Sequence, residues 1–245
     1  MMIEENQVLF TGGSGLLGSE FKKNLPNLIY PSRKDFDITD YQQMDDFIRD
    51  FGKTFKVLIH AAAFTSPPKI DTDPIEAINS NIIGTANIVK LCSTYGIKLI
   101  YISTDYVFKG DKGNYKEEDP VCPVNKYAWS KLGGECSVRL YNNSLIIRTT
   151  FGPNLFPYDG AFIDQWTSRE SVSKIAKMII KLIDKDIVGT IHVGGKRKTV
   201  YEYAKSLDEN KKIKEISIND ISFTVPVDTS LNCEKYNSII KPEDI

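Results

Sequence analysis

Short apolar runs alternate with longer amphipathic segments along most of this 245-residue chain. The runs at 8–11, 57–60, 99–103 and 145–148 are almost continuously apolar. Such runs are typical of strands that are buried on both faces of a parallel sheet. A shorter run, Leu28-Ile29-Tyr30, predicts a further strand between the first two. The pattern therefore predicts at least five parallel strands.

Between these runs, apolar residues recur at the spacing of one helix face. This periodicity predicts helices over 15–25, 74–94, 126–141 and 171–183, the last with Ser171 near its N-terminal cap. Strands that alternate with helices through long connections form α/β folds with parallel sheets. The sequence therefore predicts an α/β fold of the Rossmann type, with a doubly wound parallel sheet.

The alternation of short apolar runs and amphipathic segments is interrupted after residue 150. Glycine and proline residues between 152 and 160 predict a loop, and a lysine-rich stretch, Lys205 to Glu215, predicts a solvated surface segment. We therefore predict a main domain over 1–150 and a small C-terminal substrate region over 151–245, interleaved with the first.

Composition excludes several classes of protein. With 41% hydrophobic and 26% charged residues, a net charge of −1 and no basic face, the chain does not suggest binding to nucleic acid or to an anionic membrane. It shows neither a signal-peptide pattern nor a run long enough to span a membrane, which predicts a cytoplasmic location. The four cysteines, at 92, 122, 136 and 233, lack metal-ligand spacing and predict reduced thiols and no metal site.

The first apolar run leads into the glycine-rich loop Thr11-Gly12-Gly13-Ser14-Gly15-Leu16-Leu17-Gly18. In a strand–loop–helix context, Gly12 makes the tight turn, Gly15 lets backbone N–H groups approach a pyrophosphate, and Gly18 allows close packing of the helix. The sequence therefore predicts a dinucleotide site, with Gly12, Gly15, Leu16, Leu17 and Gly18 among its cofactor-binding residues.

The residues after the predicted second strand bear on the choice of nicotinamide cofactor. A carboxylate at this place accepts hydrogen bonds from the ribose of NAD, whereas Ser32, Arg33 and Lys34 suit the 2′-phosphate of NADPH. We therefore predict NADPH, with NADH left open because Asp35 or Asp37 is also placed to bind the ribose. Small residues after the third predicted strand, Ala61, Ala62 and Ala63, would let a cofactor approach the backbone. The preceding His60 is predicted to be a packed residue.

Tyr127 and Lys131 are four residues apart on a predicted helix and therefore share one face. Shifting the pKa of a phenol from about 10 to neutrality requires roughly 4 kcal/mol. A cation about 4 Å away at an effective dielectric constant of ~20 supplies a similar amount. We therefore predict that Tyr127 donates a proton to a forming alkoxide and that Lys131 makes the donation easier. Both also count as cofactor-binding residues, since they can contact the nicotinamide ribose.

The segment Ser103-Thr104-Asp105-Tyr106 lies where a central strand should end, at the carboxyl edge of the sheet. Open α/β sheets bind ligands at this edge. Thr104 is predicted to hydrogen-bond a substrate carbonyl and hold it against Tyr127. Capping of a turn is the alternative role for Thr104 and Asp105.

Taken together, these motifs resemble the extended short-chain dehydrogenase/reductase family, most closely its dTDP-4-dehydrorhamnose reductase branch. The resemblance rests on TGGSGLLG, HAAAFT, STDYVFKG and YAWSK, and it continues through Arg148-Thr149, GTIHVGG and the 228–231 segment DTSL. It implies Thr104, Tyr127 and Lys131 as the catalytic set, with Asp105 close to the substrate. It also implies NADPH-dependent reduction of the C4 keto group of a nucleotide-linked 4-dehydro-6-deoxy sugar.

The stretch from Phe151 to Ser171 is shorter than the family pattern implies and lacks a helix that helps to wall the substrate site. Two alternatives to the reductase stay open, and the shortened region bears on the second. One is a nucleotide-sugar epimerase or dehydratase of the same superfamily, although Tyr106 after Asp105 favours the reductase. The other is a non-catalytic NADP-binding regulatory subunit resembling the β subunit of methionine adenosyltransferase. The oligomeric state stays open, with a homodimer as one possibility, because no single exposed apolar stripe stands out from the core periodicity.

Overall fold

The computed structural model describes residues 3–52, 54–221 and 225–240. Its central sheet holds five parallel strands in the order β1-β2-β3-β4-β9, and three two-stranded pairs, β10-β7, β11-β6 and β5-β8, lie outside it. The strands are β1 (Val8–Thr11), β2 (Val57–His60), β3 (Lys98–Thr104), β4 (Ser144–Thr149), β5 (Phe151–Gly152), β6 (Gly160–Phe162), β7 (Trp166–Thr167), β8 (Glu170–Ser171), β9 (Gly189–Val193), β10 (Lys198–Thr199) and β11 (Lys214–Ile216).

Helices cover both faces of the central sheet. They are α1 (Leu16–Asn24), α2 (Tyr41–Asp50), α3 (Pro67–Thr72), α4 (Ile75–Ala77), α5 (Thr85–Tyr95), α6 (Lys126–Val138), α7 (Val172–Ile180), α8 (Val200–Leu207) and α9 (Glu234–Ile239). On one face, apolar residues of α1, α7 and α9 pack together against the sheet. On the other face, α2, α5 and α6 do the same. The α/β fold with a parallel, helix-covered sheet is therefore confirmed.

The prediction of a full second strand at residues 28–30 is wrong. Residues 28–30 contribute only one parallel bridge, in which Ile29 pairs with Leu9. Pro31 follows immediately and has no N–H group to continue a ladder, so the segment turns away from the sheet. The chain still passes from β1 to this edge and then back to β2 on the other side of β1. The carboxyl ends of β1 and β2 therefore flank the point at which the strand order reverses.

The predicted long helix over 74–94 is present but not uniform. Residues Ile78–Gly84 between α4 and α5 form a π-helical segment. Helix α5 ends at Tyr95, and Gly96 follows it with a positive φ of 67°. The other predicted helices are confirmed with shorter bounds, as α1, α6 and α7. Ser171 caps α7, because its hydroxyl accepts a hydrogen bond from the backbone N–H of Lys174 at 3.3 Å.

Residues beyond 150 serve two parts of the fold. Strand β9 completes the central sheet, and α7 packs in the core of the fold. The strands between 151 and 171 instead form short pairs, β5 with β8, β6 with β11 and β7 with β10, and this stretch contains no helix. The division at residue 150 stays a prediction. The stretch 205–215 is largely exposed, as expected, although it includes the end of α8 and part of β11. Among the described residues, no helix has the length and apolar character needed to cross a membrane.

Candidate active site

A cavity of about 840 Å³ lies outside the carboxyl ends of the central strands. It extends from the loop after β1 past the end of β2 to the loops after β3 and β4. This is the place where open α/β sheets bind ligands, next to the reversal of strand order. Fifteen of the sixteen predicted site residues line it: Gly12, Gly15, Leu16, Leu17, Gly18, Ser32, Arg33, Asp37, Ala61, Ala62, Ala63, Thr104, Asp105, Tyr127 and Lys131. The sixteenth, Lys34, does not.

The glycine loop forms one end of the cavity. Gly12 has a φ of +81°, and a Cβ atom placed there would lie 2.7 Å from the backbone nitrogen of Ala62. At Gly18, a Cβ atom would lie 2.5 Å from the carbonyl oxygen of Gly12, so the start of α1 presses directly against the turn. Gly15 differs, because a Cβ atom there would meet only Gly12 O at 3.4 Å. The protein's own packing therefore requires glycine at 12 and 18 but leaves free space beside Gly15.

Charged side chains follow at the same end. Nε of Arg33 donates to Oδ2 of Asp37 at 3.0 Å, and the other carboxylate oxygen of Asp37 accepts from Thr39. The guanidinium side chain is 73% exposed, so this ion pair contributes little to stability and is easily exchanged for another anion. Lys34 was predicted as a further cofactor residue, but, although it follows Arg33 in the same turn at 33–35, it does not line the cavity.

Asn81, in the π-helical segment, joins the loop after β2 to helix α6. Its side chain accepts from Phe64 N at 2.7 Å, and its amide nitrogen donates to Phe64 O at 3.0 Å and to Ser130 Oγ at 2.8 Å. The side chain is fully buried. Asn81 thereby fixes the 61–65 loop, whose three alanines line the cavity, relative to the helix that carries Tyr127 and Lys131.

Thr104 and Asp105 lie at the carboxyl end of β3. The Thr104 hydroxyl accepts from Tyr106 N at 3.2 Å and donates to Asp105 Oδ1 at 3.1 Å, so it caps the turn and also lines the cavity. Asp105 is 2% exposed, and its Oδ2 accepts from Thr229 Oγ1 at 2.7 Å. Burial raises the pKa of Asp105, against the hydrogen bonds from Thr229 and Thr104 and the charge of Arg169, which lower it.

Helix α6 brings Tyr127 and Lys131 to the same cavity. Asn125 caps the helix by accepting from Ala128 N at 2.8 Å, which places Tyr127 in the first turn and Lys131 in the next. Lys131 is 3% exposed, and its Nζ lies 4.3 Å from the centre of the Tyr101 ring. Tyr101 in turn donates to the carbonyl oxygen of Lys131 at 3.1 Å. The Lys131 side chain therefore lines the cavity but is almost completely shielded from bulk solvent.

Burial shifts the pKa values of the two groups in opposite senses. It raises the pKa of the Tyr127 phenol, and the nearby Asp105 and Tyr106 raise it further. It lowers the pKa of Lys131 to about 7, although Glu135 acts in the other direction. At neutral pH, Tyr127 is therefore a protonated donor, and Lys131 is close to its titration midpoint. The predicted lowering of the phenol's pKa toward neutrality by Lys131 is therefore wrong, because burial and the neighbouring Asp105 and Tyr106 raise it instead. The phenol keeps its proton, as a general acid must at the start of a reduction.

Beneath the site lies a fully buried ion pair. Glu135, one turn after Lys131, accepts from Arg148 through both oxygens, at 3.1 Å from Nε and 2.9 Å from Nη2. It also accepts from Ser103 Oγ at 2.5 Å. Neither Glu135 nor Arg148 is exposed to solvent. Through Glu135, α6 is joined to β4 and to Ser103, the residue before Thr104. These bonds fix the positions of Thr104, Tyr127 and Lys131 relative to one another.

Two contributors were not assigned a place in the site from the sequence. Arg169, between β7 and β8, lines the cavity beside Thr150, and Thr229 holds Asp105 from a distance of 124 residues along the chain. The 228–231 segment had only its family resemblance as a signal. Arg169 had none, because cationic side chains in loops are common. Tertiary contacts alone bring both residues to the site.

His60 is packed, as predicted. It is fully buried between Thr11 Oγ1, at 2.8 Å from Nδ1, and Thr85 Oγ1, at 3.1 Å from Nε2. Burial, with a contribution from Lys131, lowers its pKa to about 3, so it stays neutral. All four cysteines are unpaired thiols. Within the described ranges, no three potential metal ligands among the histidine, cysteine and acidic side chains come together.

The fold and the site together define the class of extended short-chain dehydrogenases/reductases. A glycine-rich turn after the first strand and a Thr–Tyr–Lys set meet in one cavity at the carboxyl edge of a parallel sheet. The sequence model described as "RmlD substrate binding domain" matches residues 6–153. The chain belongs to this family, and the resemblance noted from its motifs is confirmed.

Solved structures of family members agree over nearly the whole chain. A hypothetical dTDP-4-dehydrorhamnose reductase from Sulfolobus tokodaii is 31% identical with a TM-score of 0.83, and the match covers 95% of this chain and 94% of that one. The dTDP-4-dehydrorhamnose reductase from Bacillus anthracis, solved in complex with NADP, is 28% identical with a TM-score of 0.82, covering 91% and 89%. The shortened 151–171 region is therefore compatible with the family fold.

A second group of relatives bears a different name. Methionine adenosyltransferase 2 subunit beta from Pongo abelii is 27% identical over 281 residues, which covers 97% of this chain and 83% of the relative. That alignment is longer than the chain itself, so the relative carries residues that this chain lacks. Because this similarity extends over 97% of the chain, overall similarity does not distinguish an enzyme from a regulatory subunit. The residues of the cavity have to make that distinction.

Proposed function

We propose that this protein is an NADPH-dependent reductase of the dTDP-4-dehydrorhamnose reductase type. Its substrate is a nucleotide-linked 4-dehydro-6-deoxy sugar, and the C4 keto group is reduced to an alcohol. The observation that carries the proposal is the convergence of the glycine loop with Thr104, Tyr127 and Lys131 on one cavity. The relatives named as dTDP-4-dehydrorhamnose reductases, one of them bound to NADP, support it.

Each of the three side chains has a distinct task in this reaction. The bound nicotinamide supplies the hydride that adds to the carbonyl carbon. Thr104 turns its hydroxyl hydrogen from Asp105 Oδ1 to the carbonyl oxygen of the substrate and orients it. Tyr127 transfers its phenolic proton to that oxygen as the negative charge develops. Lys131 in its charged form stabilises the phenolate left behind. Asp105, held by Thr229, borders the sugar.

The space beside Gly15 and the free backbone N–H groups at the start of α1 fit the pyrophosphate of a dinucleotide. Ser32 and Arg33 would hold the 2′-phosphate, with Arg33 exchanging its exposed ion pair with Asp37 for the phosphate. NADPH is therefore the proposed cofactor. NADH stays possible, since Asp37 would accept a hydrogen bond from an unphosphorylated ribose.

The proposal is tested by following the loss of reduced-nicotinamide absorbance with NADPH and with NADH. The substrates are a panel of nucleotide 4-keto-6-deoxy sugars, and dTDP-glucose, which has no keto group, is the control. We expect turnover of a keto sugar with a preference for NADPH and none of dTDP-glucose. Binding of NADPH without turnover of any keto sugar would contradict the proposal. Purification with tightly retained oxidised cofactor would favour an epimerase or dehydratase.

Alanine at two glycines of the loop should separate folding from cofactor binding. Gly12→Ala forces a Cβ atom into a left-handed conformation and against the Ala62 backbone, so we expect a loss of about 2–4 kcal/mol in unfolding free energy. Gly15→Ala meets no such obstacle and should change stability by less than about 1 kcal/mol. Its methyl group would occupy the space beside the pyrophosphate and weaken NADPH binding about tenfold or more.

Urea denaturation and fluorescence titration with NADPH measure these two effects. The result that would count against this assignment is a Gly15→Ala variant that binds NADPH as tightly as the wild type. Equal stability of the Gly12→Ala variant and the wild type would contradict the conformational argument.

The activity should depend on the charge of Lys131. Its pKa of about 7 means that the ammonium form prevails below this pH and the neutral amine above it. Only the charged form eases proton donation by Tyr127, which itself stays protonated because burial raises its pKa. We therefore expect kcat/KM for reduction to fall as the pH rises above about 7, by up to about tenfold per pH unit. A pH profile of initial rates measures this.

Lys131→Arg is the matched variant for the pH profile. A guanidinium keeps its charge throughout this range, so the alkaline decline should disappear even if the maximal rate is lower. A wild-type profile that is flat between about pH 6 and pH 9 would rule out Lys131 as the titrating group.

A regulatory subunit is the second candidate function, favoured by the similarity to the methionine adenosyltransferase subunits. In this case, Tyr127 and Lys131 would serve only to contact the nicotinamide ribose. NADPH binding with no turnover, together with capture of a specific protein partner, would support it. The complete Thr104, Tyr127 and Lys131 set at the cavity argues for the reductase instead.

The proposed reductase acts in the cytoplasm on a small nucleotide-sugar substrate. Four unpaired thiols, one of them fully buried, suit a reducing compartment. Formation of a homodimer stays a prediction, which light scattering of the purified protein would decide.

A further inference from the structure

The aromatic ring of Tyr101 faces the ammonium group of Lys131. Tyr101 belongs to β3, is completely buried and does not line the cavity. Lys131 Nζ lies over this ring, 4.3 Å from its centre. The negative face of an aromatic ring attracts a cation at such a distance, most strongly where water is excluded. Lys131 is almost completely shielded from solvent and meets that condition.

The packing of α6 on β3 fixes the ring next to the lysine. The Tyr101 hydroxyl donates to Lys131 O at 3.1 Å, and burial raises the pKa of this phenol, so it stays neutral. Gly134 follows three residues later on α6. A Cβ atom there would lie 2.5 Å from the Tyr101 hydroxyl oxygen and 2.7 Å from Asn81 O. Any larger residue at this position would push the helix away from the ring, so the protein's own packing sets their separation.

The charge of Lys131 has few other partners. Among the described residues, its Nζ takes part in no hydrogen bond or salt bridge. Glu135, one turn later on α6, attracts it from farther away, but that carboxylate is already engaged in the buried ion pair. His60, on β2, is a neutral imidazole because its pKa is lowered to about 3, and Tyr127 is a protonated phenol. Within the described part of the chain, the Tyr101 ring is therefore the group that the ammonium contacts directly.

We propose that Tyr101 is a positioning residue for the reduction, in which the face of its ring holds the Lys131 ammonium group at the cavity and favours its charged form. The inference rests on the proposed function, in which only charged Lys131 eases proton transfer from Tyr127. Burial by itself favours the neutral amine, and the ring opposes this effect. A ring carries no net negative charge. Unlike a carboxylate in the same place, it therefore stabilises the cation without making the Tyr127 phenol still harder to deprotonate.

Replacements at Tyr101 separate the ring face from the hydroxyl and from packing. Tyr101→Phe keeps the ring and loses the hydroxyl. Trifluorophenylalanine incorporated at position 101 also keeps the ring, but its fluorine atoms withdraw electrons from the face that attracts the cation. Tyr101→Leu removes the ring. Tyr141→Leu is the matched control, because Tyr141 packs against the same apolar cluster and donates to backbone carbonyl oxygens, but lies beyond the C-terminal end of α6.

The pKa of Lys131 is measured by NMR, from the pH titration of the Cε resonances of ¹³C-labelled lysines in the protein without substrate. The resonance that is missing from Lys131→Arg identifies the residue. We expect Tyr101→Phe and Tyr141→Leu to keep the wild-type pKa of Lys131 within about 0.3 pH unit. In the trifluorophenylalanine variant and in Tyr101→Leu, this pKa should be about one pH unit lower. Thermal unfolding shows whether each variant is folded.

The alkaline decline of kcat/KM should move with this pKa. At about pH 8, the trifluorophenylalanine variant should have a kcat/KM about tenfold below that of Tyr101→Phe, whereas at about pH 5 the two should be nearly equal. A merely structural role would lower kcat/KM alike at both pH values. Equal pKa values of Lys131 in these two variants would overturn the assignment, even if Tyr101→Leu alone had a lower value, because that change would then reflect packing.

The NMR titration needs no turnover, so the two proposals can fail separately. If fluorination at position 101 lowers the pKa of Lys131 but the wild type reduces no keto sugar, the reductase is contradicted and the support that Tyr101 gives to the ammonium group is kept. If the wild type reduces a keto sugar and the pKa of Lys131 does not respond to fluorination, the reductase is kept and the role of Tyr101 is overturned.

Discussion

Replacing Tyr127 with phenylalanine is expected to lower kcat by about 10²- to 10⁴-fold while NADPH affinity stays nearly constant. The substitution removes one oxygen atom, and with it the proton that the keto oxygen receives during reduction. Within the described part of the chain, the Tyr127 hydroxyl makes no hydrogen bond, so its loss should not disturb the packing of α6. Steady-state kinetics and fluorescence titration with NADPH measure the two quantities separately.

Tyr158→Phe is the matched control, because Tyr158 is 66% exposed and lies outside the cavity. It should retain the wild-type kcat. A Tyr127→Phe enzyme with more than about a tenth of the wild-type kcat would mean that water or another group supplies the proton. The phenol would then have only a binding role.

Breaking the buried ion pair beneath the site should have the largest effect on stability. Glu135→Leu leaves the Arg148 guanidinium without its carboxylate in a fully buried position, and Ser103 without its acceptor. Removing one partner of such a pair costs about 3–5 kcal/mol, because the remaining charge stays desolvated. We expect a loss of this size in the unfolding free energy from urea denaturation. Activity should also fall, since α6 is no longer tied to the end of β3.

The double variant Glu135→Leu/Arg148→Met distinguishes an unpaired charge from simple loss of packing. With both charges replaced by apolar groups, much of the lost stability should return, as in other buried pairs. Arg49→Met, which removes an exposed cation paired with Asp45 and Asp46, is the control and should leave the denaturation midpoint unchanged. A double variant as unstable as Glu135→Leu alone would contradict this account.

The elements predicted best from the sequence are those that local pattern determines. Strands β1 to β4 are short, apolar and bounded by turns, so their hydrophobic runs locate them within one or two residues. The failures have local physical causes that periodicity does not show. Pro31 cuts the second strand to a single bridge, and the π-helical turn at 78–84 differs from an α-helix by only one residue in its hydrogen-bond spacing.

The residues of the candidate site also differ in whether local sequence or tertiary contacts determine their position. The position of Gly12, Gly18, Tyr127 and Lys131 at the cavity could be predicted because it depends on close spacing within one turn or one helix. Lys34 could not be separated from Arg33, since orientation within a turn depends on contacts elsewhere. Likewise, the contacts of Arg169 with Thr150 and of Thr229 with Asp105 depend on how the region beyond residue 150 folds against the ends of β3 and β4.

The hydrogen bond between Thr229 and Asp105 has a consequence for the timing of activity during protein synthesis. The residues around Thr229 also hold the loop after β3, because Tyr115 pairs with Leu231 and Asp228 N donates to Gly110 O at 2.8 Å. A nascent chain that has not yet reached this segment already contains the glycine loop, Thr104, Tyr127 and Lys131. The carboxyl group beside them still lacks the partner that orients it. The candidate site therefore acquires its complete set of hydrogen bonds only after the chain has been synthesised as far as the 228–231 segment.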